Sequence, residues 1–103
     1  MSRDEAATYS TDREARQPSV LVVDDDPLIV ALLTGLLTSK DYSVIKSYSG
    51  VEALNVIKSR RVDLIVCDVV MPSMNGYDFL EAVRKEVGLQ IPVVFLTARI
   101  REL

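Results

Sequence analysis

The chain has 103 residues, 49% hydrophobic and 26% charged, with a formal net charge of -3. That composition allows one globular domain and does not favour nucleic acid or an anionic membrane as a partner. No apolar run approaches the ~20 residues needed to span a bilayer, and the polar N-terminus does not read as a signal peptide. These residues include no histidine and a single cysteine, Cys67. A Ser-His-Asp triad, a histidine-based metal site, a phosphohistidine and an internal disulfide are therefore excluded within them, and a reducing cytoplasm is the expected setting.

Residues 1–18 carry seven charges of mixed sign and little that could pack, which predicts a disordered leader ahead of a domain over 19–103. Val20 to Val23 form a short apolar run, and Asp24, Asp25 and Asp26 follow it. The run is too short for a buried helix and rich in β-branched residues, so it reads as a strand covered on both faces. Asp26-Pro27 then starts a helix as cap and first turn, with an apolar stripe of Ile29, Leu32, Leu33, Leu36 and Leu37. Tyr42 to Lys46 is more mixed and suits an edge strand. Ser49 and Glu52 have capping-box spacing ahead of a second helix through Ala53, Leu54 and Ile57.

Leu64 to Cys67 is a second buried-strand pattern, ending at Asp68. A third helix follows, with Asn75 as cap and Gly76, Leu80, Val83 and Val87 along one side. Val93 to Leu96 is a fourth strand ending at Thr97, and residues 98–103 read as the first turn of a fourth helix. This alternation predicts an α/β fold with a parallel sheet and right-handed crossovers. Met71, Met74 and Cys67 read as packing residues, Pro72 and Gly76 as loop-shaping ones, and Arg60-Arg61 as solvated charge at a helix end.

In parallel α/β sheets, ligands bind outside the carboxyl ends of the strands. Asp24, Asp25, Asp68 and Thr97 all stand at such ends, and they converge if the first and third strands are neighbours. Like-charged carboxylates at roughly 5 Å repel by about 3 kcal/mol per pair at an effective dielectric near 20. A proton or a cation must relieve that repulsion, and an all-oxygen site suits Mg2+. Asp26 reads instead as a helix cap.

The blocks "VLVVDDDP", "LIVCDVVMPSMNG" and "VVFLTA" resemble the three motif blocks of the receiver domains of two-component signalling. The resemblance runs from about Val20 to the chain end, and the middle block is its most specific part. It implies a flavodoxin-like doubly wound sheet in the order 2-1-3-4, with Asp68 as phosphoacceptor. Asp25, Asp68 and the Val70 backbone carbonyl would bind Mg2+ directly, with Asp24 in the acidic pocket reaching it through water. Thr97 would be the switch hydroxyl, and the Ala98 backbone a further phosphate contact. The implied function is a phosphoacceptor module, not an enzyme. It would receive its phosphoryl group from a sensor histidine kinase or phosphotransfer protein and switch a surface for an effector or for self-association.

A complete receiver also has a fifth strand, ending in a lysine, and a fifth helix. No such lysine is present here, so the expectation is a receiver domain incomplete at its C-terminus. Asp41 stands where the family often has glycine, and aspartate tolerates left-handed backbone better than most residues. Two other readings compete. One is a haloacid-dehalogenase-like phosphatase with Asp24 as nucleophile and Asp26 as general acid/base. The other is a truncated receiver that is not phosphorylated and acts only by binding.

Overall fold

A computed structural model describes residues 17–88 and 90–96. Most of the expected leader, Thr97, Ala98 and the expected start of a fourth helix lie outside the described residues. In chain order the elements are β1 (Ser19–Val23), α1 (Pro27–Ser39), β2 (Ser43–Ser47), α2 (Gly50–Ser59), β3 (Leu64–Asp68), α3 (Gly76–Ala82) and β4 (Val93–Leu96). The helical path of α3 continues through one wider π-helical turn, Val83–Val87. Gly88 ends it in the left-handed conformation at φ 72°, where the absence of a Cβ removes the usual penalty.

The four strands are all parallel, in the order β2-β1-β3-β4. The expected fold class and strand order are therefore both found. Because the chain moves one way from β1 to β2 and the other way afterwards, right-handed crossovers send α1 to one face and α2 and α3 to the other. The larger core lies on the α2–α3 face, where Leu21, Ile65, Ile57, Phe79 and Val83 are buried together. A smaller core of Val20, Val22, Val30 and Val66 lies on the other face.

The caps form as the sequence leads one to expect. An Asp26 carboxylate oxygen accepts from the Leu28 N–H at 2.9 Å. Ser49 Oγ accepts from the Glu52 N–H at 3.1 Å, and Glu52 Oε1 reaches back to the Tyr48 N–H at 3.0 Å. Asn75 Oδ1 accepts from the Asp78 N–H at 2.9 Å. Asp41 takes up left-handed backbone at φ 68°.

The inward face of α1 differs from the expected stripe. Val30 is fully buried, with Leu33 and Leu37 packed beside it, whereas Leu32 and Leu36 are 62% and 57% exposed. Apolar residues run round the whole helix, and Pro27–Ser39 contains no charged residue. Hydrophobic pattern therefore cannot select one side of it. On α3, Phe79 is fully buried, a core position that the expected stripe omitted.

Candidate metal and phosphoacceptor site

The site grows out of strand register. At their N-terminal ends β1 and β3 are clamped together: the Ser19 N–H donates to Asp63 Oδ2 at 2.7 Å, and the Asp63 N–H donates to the Ser19 carbonyl at 2.8 Å. Pairing then runs from Val20 with Leu64 to Val23 with Cys67. Asp24 and Asp68 follow these last partners. Their carboxylates and that of Asp25 each offer an oxygen within 4.8 Å of the others. The reversal of strand order falls between β1 and β3, where open α/β sheets form their ligand crevices.

The three carboxylates have different surroundings. Asp24 is buried, Asp68 half-buried and Asp25 exposed. The Asp24 N–H donates to the Ser47 carbonyl at 3.2 Å, tying it to the end of β2. Its Oδ1 accepts from the Asp26 N–H at 2.9 Å. Burial pushes the Asp24 carboxyl above its ordinary range, the hydrogen bond from Asp26 opposes this, and the negative charges of Asp68, Asp25 and Asp26 push it further up. Among the described residues no cation pairs with any of the three. An all-oxygen anionic cluster of this kind suits a hard divalent cation.

After Asp68 the chain makes a tight loop. The Val69 N–H donates to the Leu96 carbonyl at 3.2 Å, and the Gly76 N–H donates to the Val69 carbonyl at 2.8 Å. Val70, the expected carbonyl ligand, is in this loop, and among the described residues no hydrogen bond occupies its carbonyl. The Met74 N–H donates to the Pro72 carbonyl at 2.7 Å across Ser73, whose φ is 70°. That is a γ-turn, a strained geometry that nothing in the identity of Ser73 announced. Cys67 is fully buried, its Sγ lies 3.2 Å from the Asp68 carbonyl, and its thiol is pushed up to about 12, chiefly by burial. It is a core residue, as expected. Asp26 serves as a helix cap, which leaves it poorly placed for general acid/base work. Thr97 and Ala98 lie outside the described residues.

Comparison with known proteins agrees with this geometry. The family model of the response regulator receiver domain matches residues 20–102. The chain belongs to the response regulator receiver domain family. It is 34% identical over 84 residues to response regulator GtcR of Aneurinibacillus migulanus, covering 82% of this chain and 34% of that protein. It is 41% identical over 83 residues to the probable transcriptional regulator ycf27 of Cyanidium caldarium, covering 81% of this chain and 32% of that protein. This receiver chain thus spans about a third of the length of those curated relatives.

Among solved structures it is similar to the response regulator TrrA of Thermotoga maritima in complex with Mg2+ and BeF, with a TM-score of 0.76 at 32% identity. That match covers 82% of this chain and 73% of the other. Similarity to the chemotaxis response regulator CheY4 of Vibrio cholerae is equal, with a TM-score of 0.76 at 34% identity, over 82% and 71% of the two chains. Receiver domains are the switch modules of two-component response regulators and work with sensor kinases and effector domains. These similarities do not favour the phosphatase alternative. Among the described residues no helix is long and apolar enough to cross a membrane.

Proposed function

We propose that this receiver domain accepts a phosphoryl group on Asp68 from a phosphohistidine of a sensor kinase or phosphotransfer protein. The observation that carries the reading is the convergence of Asp24, Asp25 and Asp68 within 4.8 Å. A carboxylate oxygen of Asp68 attacks phosphorus, the P–N bond to the donor imidazole breaks with its electron pair passing to nitrogen, and Asp68 becomes an acyl phosphate. Mg2+ held by Asp25, Asp68 and the Val70 carbonyl, with Asp24 through water, would neutralise the charge of the phosphoryl oxygens. In the same reading, the Thr97 hydroxyl and the Ala98 backbone orient that group. The domain then acts as a phosphoacceptor rather than an enzyme, in the cytoplasm, and phosphorylation biases a surface that meets an effector or a second copy.

Incubation with Mg2+ and a small phosphodonor such as acetyl phosphate is expected to add one phosphate, read by intact mass. Asp68→Ala is expected to abolish the adduct. A folded wild-type chain that stays unmodified, or an Asp68→Ala variant that still gains the mass, would overturn the proposal.

A further inference from the structure

We infer that Gly76 is a positioning residue for the phosphoacceptor, setting where the Asp68 peptide lies by having no side chain. The inference rests on the function proposed above and deepens it. Gly76 is buried at the first turn of α3. A Cβ there would lie 2.6 Å from the Asp68 carbonyl oxygen, 3.0 Å from the Val69 Cα and 3.0 Å from Phe95 Cε1. Real Cβ contacts under 3.0 Å are essentially never seen, and the nearest obstacle is the backbone of the phosphoacceptor itself. The same carbonyl accepts a hydrogen bond from Cys67 Sγ at 3.2 Å, which a displacement would disturb.

The neighbouring peptide is pinned from two sides. The Val69 N–H is held by the Leu96 carbonyl and the Val69 carbonyl by the Gly76 N–H, at 3.2 and 2.8 Å. The start of α3 therefore presses on the segment that carries Asp68 and leads to Val70, and the closeness of that approach depends on residue 76 being glycine. Restoring ordinary contact at 3.4 Å would shift this backbone by about 0.8 Å. Mg2+ demands near-ideal octahedral geometry, and misplacing a reacting group by ~1 Å costs about a hundredfold. Through the Asp68 main chain, Gly76 governs both ion binding and the line of attack.

Gly50 supplies the control. A Cβ at Gly50 would also meet an atom at 2.6 Å, but its obstacles are all side-chain atoms of Met74, Sδ at 2.6 Å, Cγ at 3.1 Å and Cβ at 3.3 Å, with no backbone among them. The two glycines offer the same overlap against different obstacles.

The test compares Gly76→Ala and Gly50→Ala with wild type in the full chain. It measures the Mg2+ concentration for half-saturation by amide NMR, the acetyl phosphate reaction rate at saturating Mg2+, and Tm. Gly76→Ala is expected to raise the Mg2+ requirement and slow the reaction by roughly tenfold to a hundredfold, while Gly50→Ala stays within about twofold of wild type. If Gly76→Ala does not fold, Asn75→Ala takes its place: removing the α3 cap should raise the Mg2+ requirement several-fold in a folded protein. Wild-type behaviour of folded Gly76→Ala, equal losses in the two glycine variants, or an unchanged Mg2+ requirement in Asn75→Ala would overturn the inference. A wild-type chain that neither binds Mg2+ nor takes up phosphate would instead remove the underlying function.

Discussion

Val23 and Cys67 are register partners on adjacent parallel strands, so the residue after each, Asp24 and Asp68, emerges at the same carboxyl end of the sheet. Two carboxylates brought together in this way repel, a cost that a bound cation would relieve. Several consequences can be measured.

Asp24 should destabilise the metal-free protein at neutral pH. Its folded carboxyl is raised above 3.8, the value it returns to on unfolding. Well below 3.8 it is protonated in both states and has no effect. As pH rises, the unfolded chain ionises first, and the penalty grows until the folded carboxyl has also ionised. Asp24→Asn keeps an oxygen for the Asp26 N–H and removes the charge. Its Tm in EDTA should exceed wild type at pH 7 and match it near pH 3. A difference that persists in acid would show another cause.

Mg2+ should stabilise the folded chain. Binding to the native state alone adds about 1.4 kcal/mol when free ion is roughly ten times Kd. The Asp25 charge adds to the repulsion on Asp24, so Asp25→Asn should raise the metal-free Tm slightly, Asp25 being exposed, while most of the Mg2+-dependent rise disappears. An equal rise in both proteins would place the ion elsewhere.

Cys67 should be inert in the native state. Its thiol is fully buried, and burial pushes it up to about 12, so little thiolate exists at pH 8. Alkylation by iodoacetamide should be negligible until denaturant is added and then proceed at the rate of an ordinary thiol. Fast native-state labelling would mean that the β3 strand end opens readily.

The orientation of α1 can be tested with two truncations. Val30 is fully buried, and Val30→Ala should cost about 2 kcal/mol in chemical denaturation. Leu32, 62% exposed, should cost under about 0.5 kcal/mol when changed to alanine. The reverse order would restore the stripe that hydrophobic pattern alone suggested.

Much of this was readable before any coordinates. The apolar runs ending in Asp24 and Asp68 announced buried parallel strands, because a strand covered on both faces has no polar side to show. Asp26, Ser49 and Asn75 announced helix starts, because each bears an acceptor within reach of a free N–H. Asp41 stands where the resembled family often has glycine, and its tolerance of left-handed backbone fits the φ of 68° it adopts. Spacing alone leaves the convergence of the acidic residues conditional, and it is the resemblance to receiver domains that implies the strand order 2-1-3-4 and so the adjacency of the first and third strands.

Local chemistry in the sequence determined where strands end, where helices begin and which residue types could hold a cation. Only the tertiary structure decided that Val23 lies against Cys67, which side of the uncharged helix α1 faces the sheet, and that Gly76 touches the Asp68 carbonyl. Each of these is a contact between residues distant or unrelated in sequence pattern. It depends on how closely packed surfaces fit, a property no single segment carries by itself.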